Sequence, residues 1–338
     1  MAFVDPAPVI DLIEAFRRSQ AMFTAVSLGL FDRLADGPKR ASTLAGETTC
    51  DVRALVRLLD GCAGLGLLEK SGDAYANSDV AERYLRRESP DTLAGYILYS
   101  KDALFPMWSH LDDAVREGTP RWQQSFGTEG GIFSGFFRSD AAKHDFLFGM
   151  HGFGQLSSPA VVRVFNLNRF RRIADLGGAT GHLAIAACER YGSMHGVVFD
   201  LPEVIVEALP HIAASRAAER LECVAGDFFA DPLPEADLYA LGRIVHDWND
   251  EKNMTLLRKV HAALPPGGAV LLAETLLDDD HCGPVPALMQ SLNMLVCTEG
   301  RERSLPEYRE LLESCGFAQV QGRRTGAPLD AVLAFKEE

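Results

Sequence analysis

Residues 171–190 read RRIADLGGATGHLAIAACER and decide the fold of this chain. The run Ile173–Leu176 predicts a short buried strand, and His182–Arg190 predicts the helix that follows it. Between them, Gly177, Gly178 and Gly181 allow a tight turn and let a ligand approach the backbone where the helix begins. This strand, turn and helix predict one unit of an α/β sheet.

Four further β-type runs follow along the chain. They span residues 196–200, 221–224, 237–241 and 269–273, and the segments between them are long enough for crossover helices. Such alternation predicts a doubly wound, Rossmann-like parallel sheet. Ligands of these sheets bind at the carboxyl ends of the strands, so functional residues are expected there.

The N-terminal part of the chain has a helical pattern instead. Ile10, Ile13 and Phe16, and later Val26 and Leu30, recur at three- and four-residue spacing, which predicts one buried helix face. An apolar stripe this large on the first helix also invites association with a second copy.

Two short helices, 41–47 and 51–65, precede a hairpin formed by residues 67–69 and 74–76, with Asp51 as the expected N-cap. Helix, helix and hairpin indicate a winged-helix-like module. Residues 1–100 hold 11 Lys and Arg against 14 Asp and Glu, so no basic face for DNA is evident. A dimerisation or lid role is therefore favoured.

The predicted organisation has three parts. Residues 1–100 form the helical winged-helix-like domain, residues 101–164 are connecting helices, and residues 165–338 form the α/β domain. The connecting segment carries many aromatic side chains, among them Trp108, Phe137 and Phe146. These side chains are read either as core packing or as the wall of an aromatic-substrate pocket.

Composition narrows the class of protein. The 338 residues are 47% hydrophobic and 24% charged, which excludes a largely disordered chain, and the net charge of −14 disfavours nucleic acid and anionic membranes. No apolar run reaches 18 residues, and the N-terminus lacks the basic start of a signal peptide. Seven cysteines without CxxC spacing indicate a reducing compartment and no zinc site. We expect a cytoplasmic protein.

Three strand ends carry groups suited to adenosine. The first is the loop at Asp175–Gly181; Asp200 ends the second strand and can accept both ribose hydroxyls; Asp227 and Phe228 follow the third strand and suit the adenine amino group and ring. No dinucleotide GxGxxG fingerprint fits at Gly181, and no P-loop motif is present. The pattern predicts a nucleoside pocket without a phosphate cradle.

A candidate base follows the fourth strand. His246 is the only one of nine histidines expected at a strand end on the ligand side, and the ordinary pKa of imidazole suits proton removal near neutrality. Glu274 ends the fifth strand and Glu302 lies further on. Carboxylates beside a histidine would fix its tautomer and stabilise the imidazolium.

These motifs resemble those of the S-adenosylmethionine-dependent small-molecule O-methyltransferases of the plant caffeate and flavonoid type, and most of all the acetylserotonin (hydroxyindole) O-methyltransferases. Besides the loop DLGGATG at 175–181, the matching stretches are VFDLPEV at 198–204, GDFFADPLPEADLY at 226–239, RIVHDW at 243–248, PGG at 266–268, SLNMLV at 291–296 and TEGRER at 298–303. They cover almost all of the catalytic half.

The resemblance implies a role for each matching residue. It implies a catalytic set of His246, Glu274 and Glu302, with His246 as general base. It implies cofactor contacts from Asp175, Gly177, Gly178, Gly181, Asp200, Leu201, Gly226, Asp227, Phe228 and Arg243. It implies acceptor contacts from Phe137, Met150, Gly154, Asp247, Asn293 and Cys297. Ala179, Gly154 and Cys297 differ from what relatives often carry at those positions.

The implied reaction is methyl transfer from S-adenosylmethionine to a phenolic or hydroxyindole-like hydroxyl, yielding S-adenosylhomocysteine, in a metal-free enzyme that dimerises through its N-terminal helices. Two alternatives stay open. One is a relative that retains the cofactor but catalyses a non-methylating reaction, and the other is a non-catalytic winged-helix regulator.

Overall fold

The computed structural model describes residues 4–128 and 132–337, and the chain divides into two compact units, Met1–Ala103 and Leu104–Glu338. Residues 104–164 thus belong to the same unit as the α/β sheet. The predicted boundaries at residues 100 and 164 remain predictions. Among the described residues, no helix combines the length and the apolar character that crossing a membrane requires.

The N-terminal unit combines helices with a small antiparallel sheet in the order β1-β3-β2. Its elements are α1 Ala7–Ser27, α2 Leu30–Arg33, β1 Lys39–Arg40, α3 Ala41–Thr48, α4 Val52–Gly64, β2 Leu68–Ser71, β3 Ala74–Asn77, α5 Asp79–Tyr84 and α6 Ala94–Tyr99.

The predicted helices and hairpin of this unit are confirmed. The Asp51 carboxylate caps α4 by accepting a hydrogen bond from the Ala54 backbone N–H at 2.8 Å. Leu55, Leu59 and Cys62 lie buried on one face of α4, as the spacing of apolar residues requires. Strands β2 and β3 then pair as the expected hairpin.

Helix α1 is buried over only part of its predicted apolar stripe. Val26 at its end and Leu30 beyond it are buried. Ile10, Ile13 and Phe16 are more than half exposed in the single chain. The first half of α1 therefore presents an apolar face that its own unit does not cover.

The C-terminal unit begins with helices and continues as an α/β sheet. Its elements are α7 Phe105–Trp108, α8 Leu111–Glu117, α9 Trp122–Phe126, α10 Ile132–Phe136, α11 Asp140–Val164, β4 Arg172–Leu176, α12 His182–Arg190, β5 His195–Asp200, α13 Pro202–Ala214, β6 Leu221–Ala225, β7 Leu238–Gly242, α14 Asp250–Ala263, β8 Ala269–Glu274, β9 Leu276–Leu277, α15 Val285–Cys297, β10 Arg303–Ser304, α16 Leu305–Ser314, β11 Ala318–Arg323 and β12 Asp330–Phe335.

The main sheet has seven strands in the order β11-β12-β8-β7-β4-β5-β6. Strands β4 to β8 run parallel, and β12 is antiparallel to both β8 and β11. The five strands predicted from the sequence are β4 to β8. The chain leaves β4 in one direction and returns on its other side at β7, so the switch point of the sheet lies between these two strands.

The interior strands are apolar because helices cover both faces of the sheet. All six residues of β8 are buried, and so are the first four of β7. Continuous apolar runs of this kind are typical of parallel strands buried on both sides. Their polar residues therefore gather at the carboxyl ends, where the strands leave the core.

Tyr191 ties helix α11 to the opposite, amino-terminal edge of this sheet. Its hydroxyl lies 2.9 Å from the Val162 carbonyl and 3.0 Å from the Phe165 carbonyl, and it accepts a hydrogen bond from the Leu167 N–H at 3.3 Å. The contacts are buried. They satisfy backbone groups at the end of α11 and in residues 165–171, which connect α11 to β4.

We predict that Tyr191→Phe lowers the free energy of unfolding by about 1–3 kcal/mol, because it leaves buried backbone groups without partners. The ring and its packing are retained. Denaturant unfolding followed by circular dichroism measures the change. An unfolding free energy equal to that of the wild type would contradict the role given to this hydroxyl.

Candidate active site

The loop after β4 has the backbone expected of a ligand-binding turn. Gly177 and Gly181 adopt positive φ angles of 68° and 80°. Ala179 also lies at positive φ, 48°, although it carries a methyl group. The left-handed conformation costs an L-residue about 1–2 kcal/mol, so the loop retains a conformation that its own sequence disfavours.

Asp175 lies behind this loop. It is buried, and its Oδ2 accepts a hydrogen bond from the Ala184 N–H in the first turn of α12 at 3.2 Å. Burial raises the pKa of Asp175 to about 7. The carboxyl thus ties the start of α12 to the end of β4. Gly178 packs directly on it, since a Cβ there would lie 3.0 Å from the Asp175 carboxyl.

Asp200 faces the loop from the end of β5. Its Oδ2 accepts from the Ala179 N–H at 2.8 Å, and its Oδ1 accepts from the Leu201 N–H at 2.7 Å. Burial raises its pKa to about 6, and the two backbone N–H groups act in the opposite direction. Each carboxylate oxygen keeps a second lone pair for a hydroxyl group.

The turn after β6 meets the same loop. Phe228 is buried, and its ring comes within 3.3 Å of where a Cβ on Gly177 would lie. Asp227 is half-buried, and its Oδ1 accepts from the Phe229 N–H at 2.8 Å. Gly226 leaves no room for a side chain because the Phe199 ring lies 2.5 Å from its Cβ position. The groups predicted at three strand ends therefore lie at one edge.

His246 lies on a 3-10 turn, Val245–Asp247, that follows β7. The residue is buried at 2% exposure. Its Nδ1 lies 2.7 Å from Glu302 Oε1 and 3.3 Å from Glu274 Oε2. The structure thus brings together the three residues predicted to be catalytic, although Glu302 is 56 positions away in sequence.

The two carboxylates have different partners. Glu274 Oε1 accepts from the backbone N–H groups of Ile244 at 3.1 Å and Val245 at 2.9 Å, so this residue anchors the turn. Glu302 Oε1 faces the imidazole. Burial raises the pKa of Glu274 to about 7 and that of Glu302 to about 8.

One ligand atom from each of His246, Glu274 and Glu302 could hold a metal ion, because these atoms lie within 4.8 Å of one another. Imidazole and carboxylate are common ligands of transition metals. The expectation of metal-free chemistry stays a prediction.

Arg243 and Asp247 flank the histidine. The Arg243 guanidinium lies 4.9 Å from the centre of the Phe153 ring, and Arg243 itself adopts a positive φ of 57°. Asp247 Oδ1 lies 3.7 Å from His246 Nε2. Burial raises the pKa of Asp247 to about 6, with His246 and Arg243 acting to lower it.

Asn293 and Cys297 lie one turn apart on α15. The Asn293 side chain accepts a hydrogen bond from Trp108 Nε1 at 2.8 Å, which turns its Oδ1 toward the tryptophan. The Cys297 thiol donates to the Asn293 carbonyl at 2.7 Å. Burial raises the pKa of this thiol well above its ordinary value, so it is not a ready nucleophile. No pattern in the sequence indicates the Trp108 contact, which spans 185 positions.

The other residues predicted to contact the acceptor lie on or next to α10 and α11. Phe137 packs in an aromatic cluster with Phe133 and Phe146, and Phe133 in turn lies 5.9 Å from the Trp248 ring centre. Met150 is half-buried. The aromatic side chains of this segment thus pack against one another, and Phe133 also contacts Trp248, which directly follows the His246 turn.

Gly154 has a specific neighbour. A Cβ at this position would lie 2.3 Å from atoms of the His182 ring, and His182 also bonds Ser158 through Nδ1 at 2.8 Å. His182 directly follows the Gly177–Gly181 loop. His246 is therefore not the only histidine near this edge, and the side-chain space of Gly154 is filled by protein.

A family model described as the O-methyltransferase domain matches residues 108–318, and one described as the O-methyltransferase dimerisation domain matches residues 10–87. The chain belongs to the O-methyltransferase family. The family predicted from the motifs is thus confirmed, together with its mixed α/β Rossmann-like architecture.

Curated relatives of this O-methyltransferase include bovine acetylserotonin O-methyltransferase, 42% identical over 96% of each chain. A human probable bifunctional dTTP/UTP pyrophosphatase/methyltransferase protein is also 42% identical over 98% of this chain, which spans only about half, 54%, of that relative. Among solved structures, human N-acetylserotonin methyltransferase in complex with S-adenosylmethionine matches with a TM-score of 0.94 and 37% identity, covering 100% of both chains.

We predict that Gly154→Ala lowers the free energy of unfolding by about 1–3 kcal/mol, because the added methyl group overlaps the His182 ring. Gly192→Ala is the matched control, since no atom lies within 4 Å of its Cβ position. Denaturant unfolding of both variants measures the difference. Equal stability of the two variants would mean that Gly154 faces open space, as a residue bordering a cavity would.

Proposed function

We propose that this O-methyltransferase transfers the methyl group of S-adenosylmethionine to the hydroxyl of an aromatic, phenolic or hydroxyindole-like acceptor, with His246 as general base and without a metal ion. The proposal is supported above all by the two carboxyl groups beside His246 Nδ1. One ring nitrogen is held by Glu302 at 2.7 Å, which leaves Nε2 as the nitrogen that can accept a proton.

His246 can act as a base only in the tautomer that carries its proton on Nδ1. Once Glu302 is ionised, which its raised pKa of about 8 places toward alkaline pH, Nδ1–H donates to it, and the lone pair of Nε2 is the acceptor for the proton of the substrate hydroxyl. A phenol has a pKa of about 10, a few units above imidazole, so one such base suffices. General-base assistance of this kind contributes about 10²- to 10⁴-fold in rate.

The carboxylates support the protonated form of the base. Once Nε2 has taken the proton, the imidazolium has Glu302 at 2.7 Å and Glu274 at 3.3 Å on its other side. The site is buried, so these interactions are stronger than they would be in water. Glu274 also holds the turn that presents the ring, through the N–H groups of Ile244 and Val245.

The residues at the strand ends fit the cofactor. The positive-φ loop at Gly177–Gly181 would hold its methionine part, Asp200 with Leu201 the ribose, and Asp227 with Phe228 the adenine, while Arg243 would line the site. When bound, the sulfonium supplies an already activated methyl group. The chain must then hold the acceptor oxygen in line and remove its proton.

An aromatic acceptor is supported by two observations. Relatives at about 40% identity are acetylserotonin O-methyltransferases, and aromatic side chains including Phe133 and Trp248 pack beside the histidine turn. Asn293 Oδ1 accepts a hydrogen bond from Trp108. The amide N–H₂ of Asn293 is therefore the group that can donate a hydrogen bond to the aromatic substrate.

We predict that His246→Ala lowers the turnover number for methyl transfer by about 100-fold or more, because the hydroxyl proton loses its acceptor. The dissociation constant for S-adenosylmethionine should change by less than about threefold, since His246 is not among the residues that would hold it. Release of S-adenosylhomocysteine with N-acetylserotonin and a panel of phenols measures turnover, and calorimetry measures binding.

His195→Ala is the matched control for this experiment, because His195 is exposed at the start of β5. Wild-type turnover in His246→Ala would remove the base from the mechanism. Consumption of an acceptor by the wild-type enzyme without release of S-adenosylhomocysteine would instead favour a non-methylating reaction.

The buried carboxyls predict how stability depends on pH. Burial raises the folded-state pKa of Glu302 to about 8 from an ordinary value of 4.5, so the folded protein binds this proton more tightly than the unfolded chain. The stability that this proton gives the folded state is fully present below the ordinary pKa of 4.5 and is lost as the pH rises toward about 8. Its slope is at most about 1.4 kcal/mol per pH unit for one proton.

We therefore predict that the free energy of unfolding of the cofactor-free enzyme falls less steeply between about pH 5 and pH 8 in Glu302→Gln than in the wild type. Glutamine keeps the shape but cannot titrate. Unfolding curves at several pH values measure both slopes. Parallel curves for the two proteins would show that Glu302 titrates alike in the folded and unfolded states.

We propose further that the enzyme is a homodimer through its N-terminal helices. The match to a dimerisation domain at residues 10–87 supports this, and so does the exposed apolar face of α1. Val9, Ile10, Leu12, Ile13 and Phe16 are between 53% and 75% exposed in the single chain. A contiguous apolar surface of this kind is typical of an interface.

We predict that a double substitution, Ile13→Asp with Phe16→Asp, shifts the enzyme from dimer to monomer, because it places two charges in the interface. Light scattering coupled to gel filtration measures the mass. Val206→Asp, an exposed apolar position on α13, is the control and should stay dimeric. A wild-type dimer mass in the double variant would rule out the α1 face as the interface.

A further inference from the structure

The turn that carries His246 needs hydrogen bonds from other parts of the fold. Arg243 leaves β7 at a positive φ of 57°, and Val245–Asp247 forms a single 3-10 turn. Such a turn has few internal hydrogen bonds; here the Asp247 N–H bonds the Ile244 carbonyl at 3.1 Å. The remaining backbone groups need partners from elsewhere in the fold.

Asn253, in the second turn of α14, supplies two of these partners. Its side-chain Nδ2 lies 2.8 Å from the Val245 carbonyl and 2.8 Å from the Trp248 carbonyl. These two carbonyls bracket His246 and Asp247. The amide is fully buried, at 0% exposure, so no water competes for the two hydrogen bonds.

The other supports act on different sides of the turn. Glu274 accepts from the N–H groups of Ile244 and Val245. Gly300 packs against the His246 carbonyl, where a Cβ would lie only 2.1 Å from the oxygen. Arg303 also reaches the Val245 carbonyl, at a longer 3.3 Å. Asn253 is the side chain that ties the beginning and the end of the turn to one point.

The chemistry of the amide matches this task. It is neutral and has two N–H donors for two carbonyl acceptors, which neither a carboxylate nor an aliphatic side chain of the same size provides. Its Oδ1 is buried without a hydrogen-bond partner among the described residues. A buried polar atom left unpaired is costly, so the two N–H bonds are the interactions that account for an amide at this position.

We propose that Asn253 is a positioning residue of the methyltransferase reaction: by clamping the Val245 and Trp248 carbonyls it sets the direction in which the His246 imidazole faces Glu302 and the acceptor. The inference rests on the proposed role of His246 as base. Asn253 touches neither partner of the proton transfer, and it acts through the backbone of the turn.

The test compares Asn253→Leu, which keeps the approximate size and removes both donors, with Tyr191→Phe. Tyr191→Phe also removes a buried donor that lies within hydrogen-bond distance of two carbonyls, at the opposite edge of the sheet. We expect Asn253→Leu to lower the turnover number per folded molecule by about 10- to 100-fold, as displacement of a catalytic group does. The dissociation constant for S-adenosylmethionine should stay within about threefold. Tyr191→Phe should keep wild-type turnover.

A second readout is independent of the acceptor. In protein labelled with ¹⁵N-histidine, the proton that His246 Nδ1 shares with Glu302 should give a downfield signal, assigned by its absence in His246→Ala. We expect Asn253→Leu to shift or abolish this signal, and Tyr191→Phe to leave it in place. A wild-type protein without the signal would contradict both the base geometry and the role of Asn253.

The outcomes separate the two proposals. A changed signal in Asn253→Leu, together with no methylation of any tested acceptor by the wild-type enzyme, would support the effect of Asn253 on His246 and overturn the proposed function. An unchanged signal and unchanged turnover per folded molecule would overturn the clamp alone. If Asn253→Leu does not fold, Asn253→Ser, which keeps one shorter donor, is held to the same criteria and should show a smaller loss.

Discussion

The proposed mechanism depends on one constraint, the hydrogen bond between His246 Nδ1 and Glu302 Oε1. It is formed away from water, where Glu274 approaches the same nitrogen at 3.3 Å. Two carboxylates and one imidazole in a buried site are costly unless each has a partner. Glu274, at the end of β8, accepts from the Ile244 and Val245 N–H groups, and Glu302, before β10, pairs with His246.

The α/β sheet explains why these groups can meet. Its strands are apolar until their last residues, so each polar side chain appears where a strand leaves the core. Parallel strands bring all such ends to one edge, and the switch between β4 and β7 opens a crevice there. The loop at Gly177–Gly181 and the turn of His246 follow these two neighbouring strands. The loop proposed to hold the cofactor and the proposed base therefore follow adjacent strands.

Site residues could be predicted from the sequence where the local backbone or the chemistry favours one residue type. The positions of the loop glycines, of the aspartates at strand ends and of the histidine after β7 could be predicted, because positive φ favours glycine and the alternation of strands and helices shows where each strand ends. Ribose binding by the aspartates and proton transfer by the histidine stay predictions. Contacts between distant segments could not. Nothing in the sequence indicates that Trp108 turns the Asn293 amide, that His182 fills the space beside Gly154, or that Asn253 spans the histidine turn. These depend on packing between elements.

A crystal structure of the enzyme with S-adenosylhomocysteine and a bound phenolic or hydroxyindole acceptor would test the role of His246 as base. We expect the acceptor hydroxyl to lie within about 2.6–3.2 Å of His246 Nε2 and to be directed at the sulfur of the cofactor product. An acceptor hydroxyl paired with another side chain, or a His246 ring whose Nε2 turns away from the acceptor, would contradict it.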